Sequence, residues 1–367
     1  MDSAPYLSVI VPVRDGGEAF DRCLSALGSS LRAGVELIVV DDGSVDDSAA
    51  RAEAAGARVL RTSGALGPGA ARNLGARSAE GEWLLFTDAD CEVGFDTLAV
   101  ATGAARRGDA DALFGSYDDD PAAPGLVARY KNLYHHYVHQ RAGSTAQSFW
   151  AGCGAVRRDA FLAVGGFDER RYPRPSIEDI ELGYRLTDAG YRIRFQPDLT
   201  VKHLKAWTLA GLLRSDILDR GVPWTELMLS RGGIPNELNV RWRERFSVVA
   251  AWLLIAMLAA APWRPTALIP AAACAAWLLI AAFAASPWRP LALIVAGAAA
   301  GWLALSHMDL YRFLARRGGV PFALAAVPLH WLYLGYCGVA FLWGAARHAR
   351  ARGRPSKAGG TVAGERG

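Results

Sequence analysis

A chain of 367 residues, 52% apolar and 21% charged, has material for two or three domains and is neither disordered nor collagen-like. Its formal net charge of +4 sums two unlike parts: residues 1–245 carry 29 basic and 34 acidic side chains (−5), and residues 246–367 carry 11 basic and 2 acidic (+9). An acidic part followed by an apolar, arginine-edged part argues against nucleic acid as a partner and for a membrane.

The opening MDSAPYLSVIVPV has an acid where a signal peptide has its basic region, and its apolar run is too short for export, so the first domain is expected in the cytoplasm. Cys23, Cys91, Cys153, Cys274 and Cys337 lie far apart, form no C-x-x-C pair and fit a reducing compartment. Apolar runs at 7–13, 35–40, 59–60, 83–87 and 112–114 read as strands. They alternate with helical stretches at 20–29, 46–55, 70–78 and 97–107, a pattern that builds an α/β fold with a mostly parallel sheet. Ligands then bind beyond the carboxyl ends of the strands.

The residues at those ends carry the chemistry. Asp41-Asp42-Gly43-Ser44 closes the second strand, where a carboxylate meets either a base N–H or only its own turn. The stretch from Gly67 to Gly75 is a glycine-rich loop entering a helix, without the Lys-Ser/Thr of a P-loop. Asp88-Ala89-Asp90 ends the strand at 83–87. Two carboxylates repelling each other at a strand end call for a cation, and oxygen ligands suit Mg²⁺ or Mn²⁺. Glu178-Asp179 opens a helical stretch at 180–189, a place where acids often serve only the helix dipole. The helix 130–141 carries His135, His136 and His139; with no supporting glutamate it reads as a lid or acceptor-facing surface.

From 246 to 346 the charged residues are Arg264, Arg289, Asp309, Arg312, Arg316 and Arg317 alone. The apolar blocks 246–261, 266–285, 291–305 and 321–346 predict about four membrane spans, two of them short for a bilayer core of roughly 30 Å. Pro-Trp-Arg-Pro at 262–265 and again at 287–290 reads as a repeated interfacial turn. Four spans place nine Arg and Lys inside against four outside; alternatively, the stretch 307–317 is an amphipathic helix lying in the interface, which gives an odd span count. The tail 347–367 reads as basic, disordered and cytoplasmic.

Taken in order, Ser8-Val-Ile-Val-Pro-Val13, Asp41-Asp42-Gly43-Ser44, Ala71-Arg72-Asn73, Asp88-Ala-Asp90, 152–158 with Gly165-Gly-Phe-Asp168, and Glu178-Asp179 resemble the family 2 glycosyltransferases. The resemblance spans residues 6 to about 205. It implies a GT-A nucleotide-sugar-binding domain over 1–230, a juxtamembrane linker over 231–245 and transmembrane helices over 246–346. It extends loosely to His330-Trp-Leu-Tyr333, similar to the ending of bacterial members with C-terminal spans.

Carried over residue by residue, the resemblance implies that Pro12, Val13 and Asp15 line the nucleotide cleft, that Asp42 bonds the base (uracil), and that Arg72 and Asn73 support the diphosphate loop. Asp88 touches ribose or sugar, Asp90 binds the divalent metal, and His203 adds a ligand where some relatives have one. Asp179 is the catalytic base and Glu178 orients it, while Glu181 is a surface helix residue. The implied activity is an inverting, metal-dependent transfer of one sugar from a nucleotide-sugar donor, a UDP-sugar, to a lipid-linked or membrane-held acceptor at the inner membrane. A Gln-x-x-Arg-Trp sequence typical of processive synthases is missing. In its neighbourhood stands Arg220-Gly-Val-Pro-Trp224, either a phosphate-and-sugar contact or a helix-ending turn. The alternative reading is a non-catalytic membrane scaffold with a degenerate nucleotide-sugar-binding domain.

Overall fold

The computed structural model describes residues 4–260 and 289–352. The span expected at 266–285, the first Pro-Trp-Arg-Pro, Cys274 and most of the tail lie outside the described residues.

The alternation read from the sequence gives β1 (Leu7–Val13), α1 (Gly17–Ser30), β2 (Val35–Asp41), α2 (Ser48–Ala54), β3 (Arg58–Arg61), α3 (Pro68–Ser78), β4 (Trp83–Thr87), β5 (Cys91–Val93), α4 (Thr97–Arg106) and β6 (Ala112–Tyr117). Then follow α5 (Leu126–His139), β7 (Thr145–Ala146), β8 (Cys153–Arg157), α6 (Arg158–Ala163), α7 (Glu178–Asp188) and β9 (Ile193–His203). The sheet runs β3-β2-β1-β4-β8-β6-β9-β5, with β7 beside β9.

The β3-β2-β1-β4 half is parallel, as the alternation predicts. The other half is mixed: β8 runs antiparallel to both β4 and β6, and β5 and β7 antiparallel to β9. The expectation of a mostly parallel sheet therefore holds for one half only. Strands β5 and β7 are too short to show a periodicity, and β9 carries Pro197 and Asp198 in its middle, so none of the three reads as an apolar strand run.

Strand β1 pairs with β4 only as far as Ile10–Phe86, while its pairing with β2 continues to Val13–Asp41. The two central strands part at their carboxyl ends and leave a crevice. Pro12, which has no N–H to give a ladder, lies beyond that last β1–β4 pair. The core is the sheet's inward side chains, with Phe86, Phe149, Phe161 and Phe167 forming an aromatic cluster beneath the crevice.

Beyond β9, α8 (Leu209–Arg214) runs through a π-helical stretch, Ser215–Gly221, into α9 (Val222–Ser230). The apolar half contains α10 (Trp242–Ala260), α11 (Arg289–Ser306), α12 (Met308–Gly318) and α13 (Val320–Arg352). Among the described residues one helix, α13, is long and apolar enough to cross a membrane; α11 and α12, bent by 56° at their junction, count as a second only if taken together. The described part of the block 246–261 falls in α10, whose 19 described residues do not pass as a span because Arg243, Glu244 and Arg245 stand in its first turn. The alternative of a separate helix at 307–317 matches α12: Leu310 and Leu314 are buried, and Asp309 and Arg317 pair with side chains of the first half.

The two halves share packing. Tyr130, Leu133, Tyr134 and Tyr137 of α5 are buried in one cluster with Ala251, Leu254, Leu310 and Tyr333. Helix α5 is thus an internal strut and not a lid: its tyrosines, spaced as 130, 134 and 137, form the apolar face that the helices behind it cover, while the other reading, a surface facing the acceptor, is left open because Lys131, His135 and His139 line a cavity.

Candidate active site

The β1 end leads into Asp15, whose backbone is left-handed (φ 51°), a conformation that aspartate tolerates. Its N–H donates to Ser44 Oγ at 3.0 Å and its carboxylate accepts from Val45 N–H at 2.7 Å. These bonds tie the β1 and β2 loops together beside Pro12 and Val13. Asp42 is buried, and its carboxylate accepts from Thr62 Oγ1 (2.9 Å), Leu66 N–H (2.9 Å) and Gly67 N–H (2.7 Å). Asp42 therefore holds the wall of the crevice. Gly67 is the hinge of that wall: its φ is +96°, and a Cβ there would stand 2.4 Å from the Pro173 carbonyl oxygen.

Arg72 and Asn73 leave the first turns of α3 and are buried. Arg72 donates to Asp88 at 2.5 Å and to Glu178 at 3.2 Å, and its guanidinium faces the Phe167 ring. Asn73 accepts from Phe167 N–H (2.9 Å) and donates to the Phe167 carbonyl (2.8 Å) and Glu169 (3.1 Å). Gly166 is required here because a Cβ would meet the Asn73 side-chain oxygen at 2.4 Å. In the structure, then, Arg72 and Asn73 organise acids and backbone, and the Gly165-Gly166-Phe167 stretch is their counterpart.

Asp88 and Asp90 stand in a turn that the Cys91 N–H closes on the Asp88 carbonyl. Burial, opposed by Arg72 and reinforced by Asp90, pushes the Asp88 carboxyl above the usual range. Asp90 moves the other way, because the His203 bond and the charges of His203 and Lys205 outweigh its burial. His203 Nε2 stands 3.5 Å from Asp90 Oδ2; the ring stacks on Tyr117, and Nδ1 donates to the Asn132 side-chain oxygen at 2.9 Å. Anchoring one ring nitrogen aims the other, the arrangement by which proteins orient a ligand histidine.

Asp88, Asp90 and Cys91 bring potential ligand atoms within 4.8 Å of one another, the one such group of three among the described residues. The Cys91 thiol is held well above its ordinary pKa by burial and by the two aspartates, so it stays protonated and is a poor partner for a hard cation. Two carboxylates and an oriented imidazole suit Mg²⁺ or Mn²⁺ with positions left for phosphate oxygens. The histidines of α5 form no such grouping: burial first, then His139 and nearby cations, hold His135 neutral, with its ring 4.0 Å from that of His139.

Glu178 and Asp179 open α7. Glu178 is buried and fixed by Arg72 and by Ser176 N–H at 2.8 Å. Asp179 accepts from Ala151 N–H (3.2 Å) and Ile180 N–H (2.8 Å). Burial, with Glu178 adding and Arg220 opposing, raises its carboxyl to about 6. A carboxylate raised in this way takes up a proton more readily than an ordinary aspartate. Glu181 departs from expectation: it is buried, and its pair with Arg185 lets that arginine clamp the Val164 and Gly166 carbonyls at 2.6 Å.

Asp179 lines a cavity of about 750 Å³ that also takes in Arg220, Trp224, Trp150 and His135. Arg220 lies in the π-helical stretch, a kind of irregularity that often marks a functional site. Four residues before it, Asp216 is gripped by Lys131 (2.6 and 2.8 Å) and by Tyr336 Oη of α13 at 2.6 Å. Sequence reasoning left Arg220 and Trp224 open and missed Lys131, Asp216 and Asn132. The Asp216–Arg220 spacing was visible, but which way the helix turns there was not.

The sequence profile described as Glycosyl transferase family 2 matches residues 8–165. A pre-mycofactocin glycosyltransferase of Mycobacterium tuberculosis H37Rv is 30% identical over 218 residues, 54% of this chain and 42% of that protein. An N-acetylglucosaminyl-diphospho-decaprenol L-rhamnosyltransferase of the same organism is 26% identical over 240 residues, 54% of this chain and 76% of that protein. The chain thus matches less than half the length of the first relative. A solved mannosyltransferase from Pyrobaculum calidifontis, in complex with GDP-Man and Mn²⁺, has 19% identity and a TM-score of 0.49 over 93% of this chain and 88% of that one. The sheet, its flanking helices and the ordered motifs lie in and around the matched stretch, and over it the chain is similar to the glycosyl transferases of family 2.

Proposed function

We propose that the protein is an inverting glycosyltransferase that moves one sugar from a nucleotide-sugar donor, a UDP-sugar, to a lipid-linked or membrane-held acceptor in cell-envelope glycan or glycolipid synthesis. The observation that carries this reading is the Arg72 bridge. One buried guanidinium holds the strand-end acid Asp88 and the helix-start acid Glu178 at a single place, next to Asp90 on one side and Asp179 on the other.

In this reading the donor lies in the crevice between the β1 and β4 ends, against Pro12, Val13, Asp15 and the loop that Asp42 holds. Asp90 and His203, with Asp88 beside them, would hold a divalent cation, Mg²⁺ or Mn²⁺, which would supply positive charge to the leaving diphosphate. Asp179 takes the proton of the acceptor hydroxyl. That oxygen forms the new bond to the anomeric carbon from the face opposite the diphosphate, and the electron pair of the broken C–O bond departs on the β-phosphate oxygen. Glu178, fixed by Arg72 and Ser176, keeps α7 and hence Asp179 in place. The catalytic domain, 1–230, is cytoplasmic and held at the inner membrane by a multi-pass anchor; the length and hydropathy of α13 support the anchoring.

The test is nucleoside diphosphate release by the purified full chain, in detergent, from a panel of nucleotide sugars with membrane-lipid extract as acceptor. Release that depends on Mn²⁺ or Mg²⁺ and falls at least about 100-fold in Asp90→Asn and in Asp179→Asn supports the reading. Donor binding without turnover of any donor would replace it with the scaffold alternative.

A further inference from the structure

The cavity at Asp179 does not end in the catalytic domain. From Asp179 and Arg220 it continues past Thr225 and Met228 to a far end built by Val249, Leu253 and Ala256 of α10 and by Phe341 and Leu342 of α13. The lining there is apolar, while Lys131, Asp179, Asp216, Arg220, Glu244 and Arg245 give the cavity its charged part. At the far end Val249, Leu253 and Leu342 are 57%, 44% and 65% exposed, so the mouth opens on the outer face of these helices. Trp252 braces the mouth: its indole N–H donates to the Gly335 carbonyl at 3.1 Å, and a Cβ on Gly338 would stand 2.2 Å from the same nitrogen. The two helices are therefore locked together beside an open slot.

At the inner end, no carboxylate oxygen of the described residues comes within 4.0 Å of the Arg220 guanidinium, although Arg220 lines the cavity between Asp179 and Asp216. A cation without a close partner, facing a cavity, fits an anionic group of the occupant. A water-soluble acceptor gains nothing from an apolar mouth, whereas a hydrocarbon chain buries its whole length there.

We infer that this cavity is the acceptor site for a single-chain amphiphile: its phosphate-bearing head lies at Arg220 with a nucleophilic hydroxyl at Asp179, and its alkyl or isoprenoid chain leaves between α10 and α13. The inference rests on the transferase reading and names its acceptor class. The slot also gives the α10–α13 pair a purpose beyond anchoring, since Asp216, held by Tyr336 of α13, sets the turn that carries Arg220.

The experiment is photolabelling of the full chain in nanodiscs with geranylgeranyl phosphate bearing a diazirine at the chain end, mapped by mass spectrometry. Adducts concentrated on the α10 and α13 peptides around Leu253 and Phe341, and competed by unlabelled geranylgeranyl phosphate but not by inorganic phosphate, are expected. Ala256→Trp, which narrows the mouth, lowers labelling at least tenfold, and Val249→Trp does the same, with circular dichroism and unfolding temperature as in the wild type. Arg220→Gln weakens competition by geranylgeranyl phosphate but not by geranylgeraniol. Labelling spread evenly over the helices, or unmoved by both tryptophan variants, overturns the inference. Labelling requires no turnover, so a wild-type protein that labels as expected but releases no nucleoside diphosphate from any donor sinks the transferase reading and leaves the site standing.

Discussion

Asp179→Asn separates activity from stability in a way a merely structural carboxylate would not. Burial and Glu178 lift the Asp179 carboxyl from 3.8 to about 6, so the folded protein holds a proton that the unfolded chain has lost between those values. Stability from this group is complete below about pH 4, falls as pH rises through 6, and is flat above; the gap corresponds to about 3 kcal/mol. Asparagine removes the ionised acid but turns one acceptor into a donor facing the Ala151 or Ile180 N–H, which costs about 1 kcal/mol. The variant should therefore be about 2 kcal/mol more stable than the wild type at pH 8 and equal to it or weaker near pH 4, while transfer falls at least about 100-fold. Thermal unfolding of metal-free protein in detergent at pH 4, 6 and 8 reads the first effect. Wild-type transfer should rise about tenfold per pH unit below 6 and level off above 7. A variant less stable than wild type at pH 8, or a wild-type profile flat from pH 5 to 8, refutes the assignment of a raised, deprotonatable Asp179.

Other outcomes follow from the same geometry. Arg72→Met leaves Asp88 and Glu178 without their shared cation and should cost about 3–5 kcal/mol in thermal unfolding, with Arg72→Lys, which cannot bridge both acids, in between. His203→Ala should weaken Mn²⁺ binding in calorimetry by about 10–100-fold, whereas Cys91→Ser should leave it within about threefold; the reverse order would make the thiol the ligand. Gly67→Ala forces a side chain against the Pro173 carbonyl at a left-handed position, and should cost about 2–3 kcal/mol and raise KM for the donor more than it lowers kcat.

The parallel half of the sheet was legible because its strands are uniform apolar runs and its helices amphipathic; β1 and β4 were delimited to the residue. The mixed half was not, since β5, β7 and β9 are short or interrupted and owe their place to partners distant in sequence. At the site, Asp88, Asp90 and Asp179 announced themselves as acids at element ends. Their neighbours did not: Asn132 and Lys131 sit in a helix whose tyrosines gave the stronger signal, and the role of Asp42 as a loop anchor depends on N–H groups 24 and 25 residues away. The apolar half was legible as apolar, with the block 291–305 falling on α11 and the stretch 307–317 on α12, but hydropathy counts residues and not bends, so the 56° turn between them was not legible.

The mixed half is what brings the reactive groups together. A purely parallel sheet would send each strand's carboxyl end to the crevice and its following helix back over a face. Here β8 runs against β4, so the chain leaving α5 delivers Trp150 and Ala151 to the crevice before entering the sheet. The Ala151 N–H can then hold Asp179 while β9, arriving parallel to β6, ends with His203 beside Asp90. Reversing one strand places Asp179 and His203 on the same side as the β4 acids, with a single arginine from the parallel half, Arg72, bonding Asp88 and Glu178. A substitution that shifts β8 by even a small amount should therefore impair base and metal site together, which mutations of Asp179 or Asp90 alone do not. Gly154→Ala supplies that shift, since its Cβ would stand 2.3 Å from the Trp150 carbonyl oxygen. Joint loss of Mn²⁺ affinity and of the pH-dependent limb is the expected result, and loss of only one would show that the two sites are set independently.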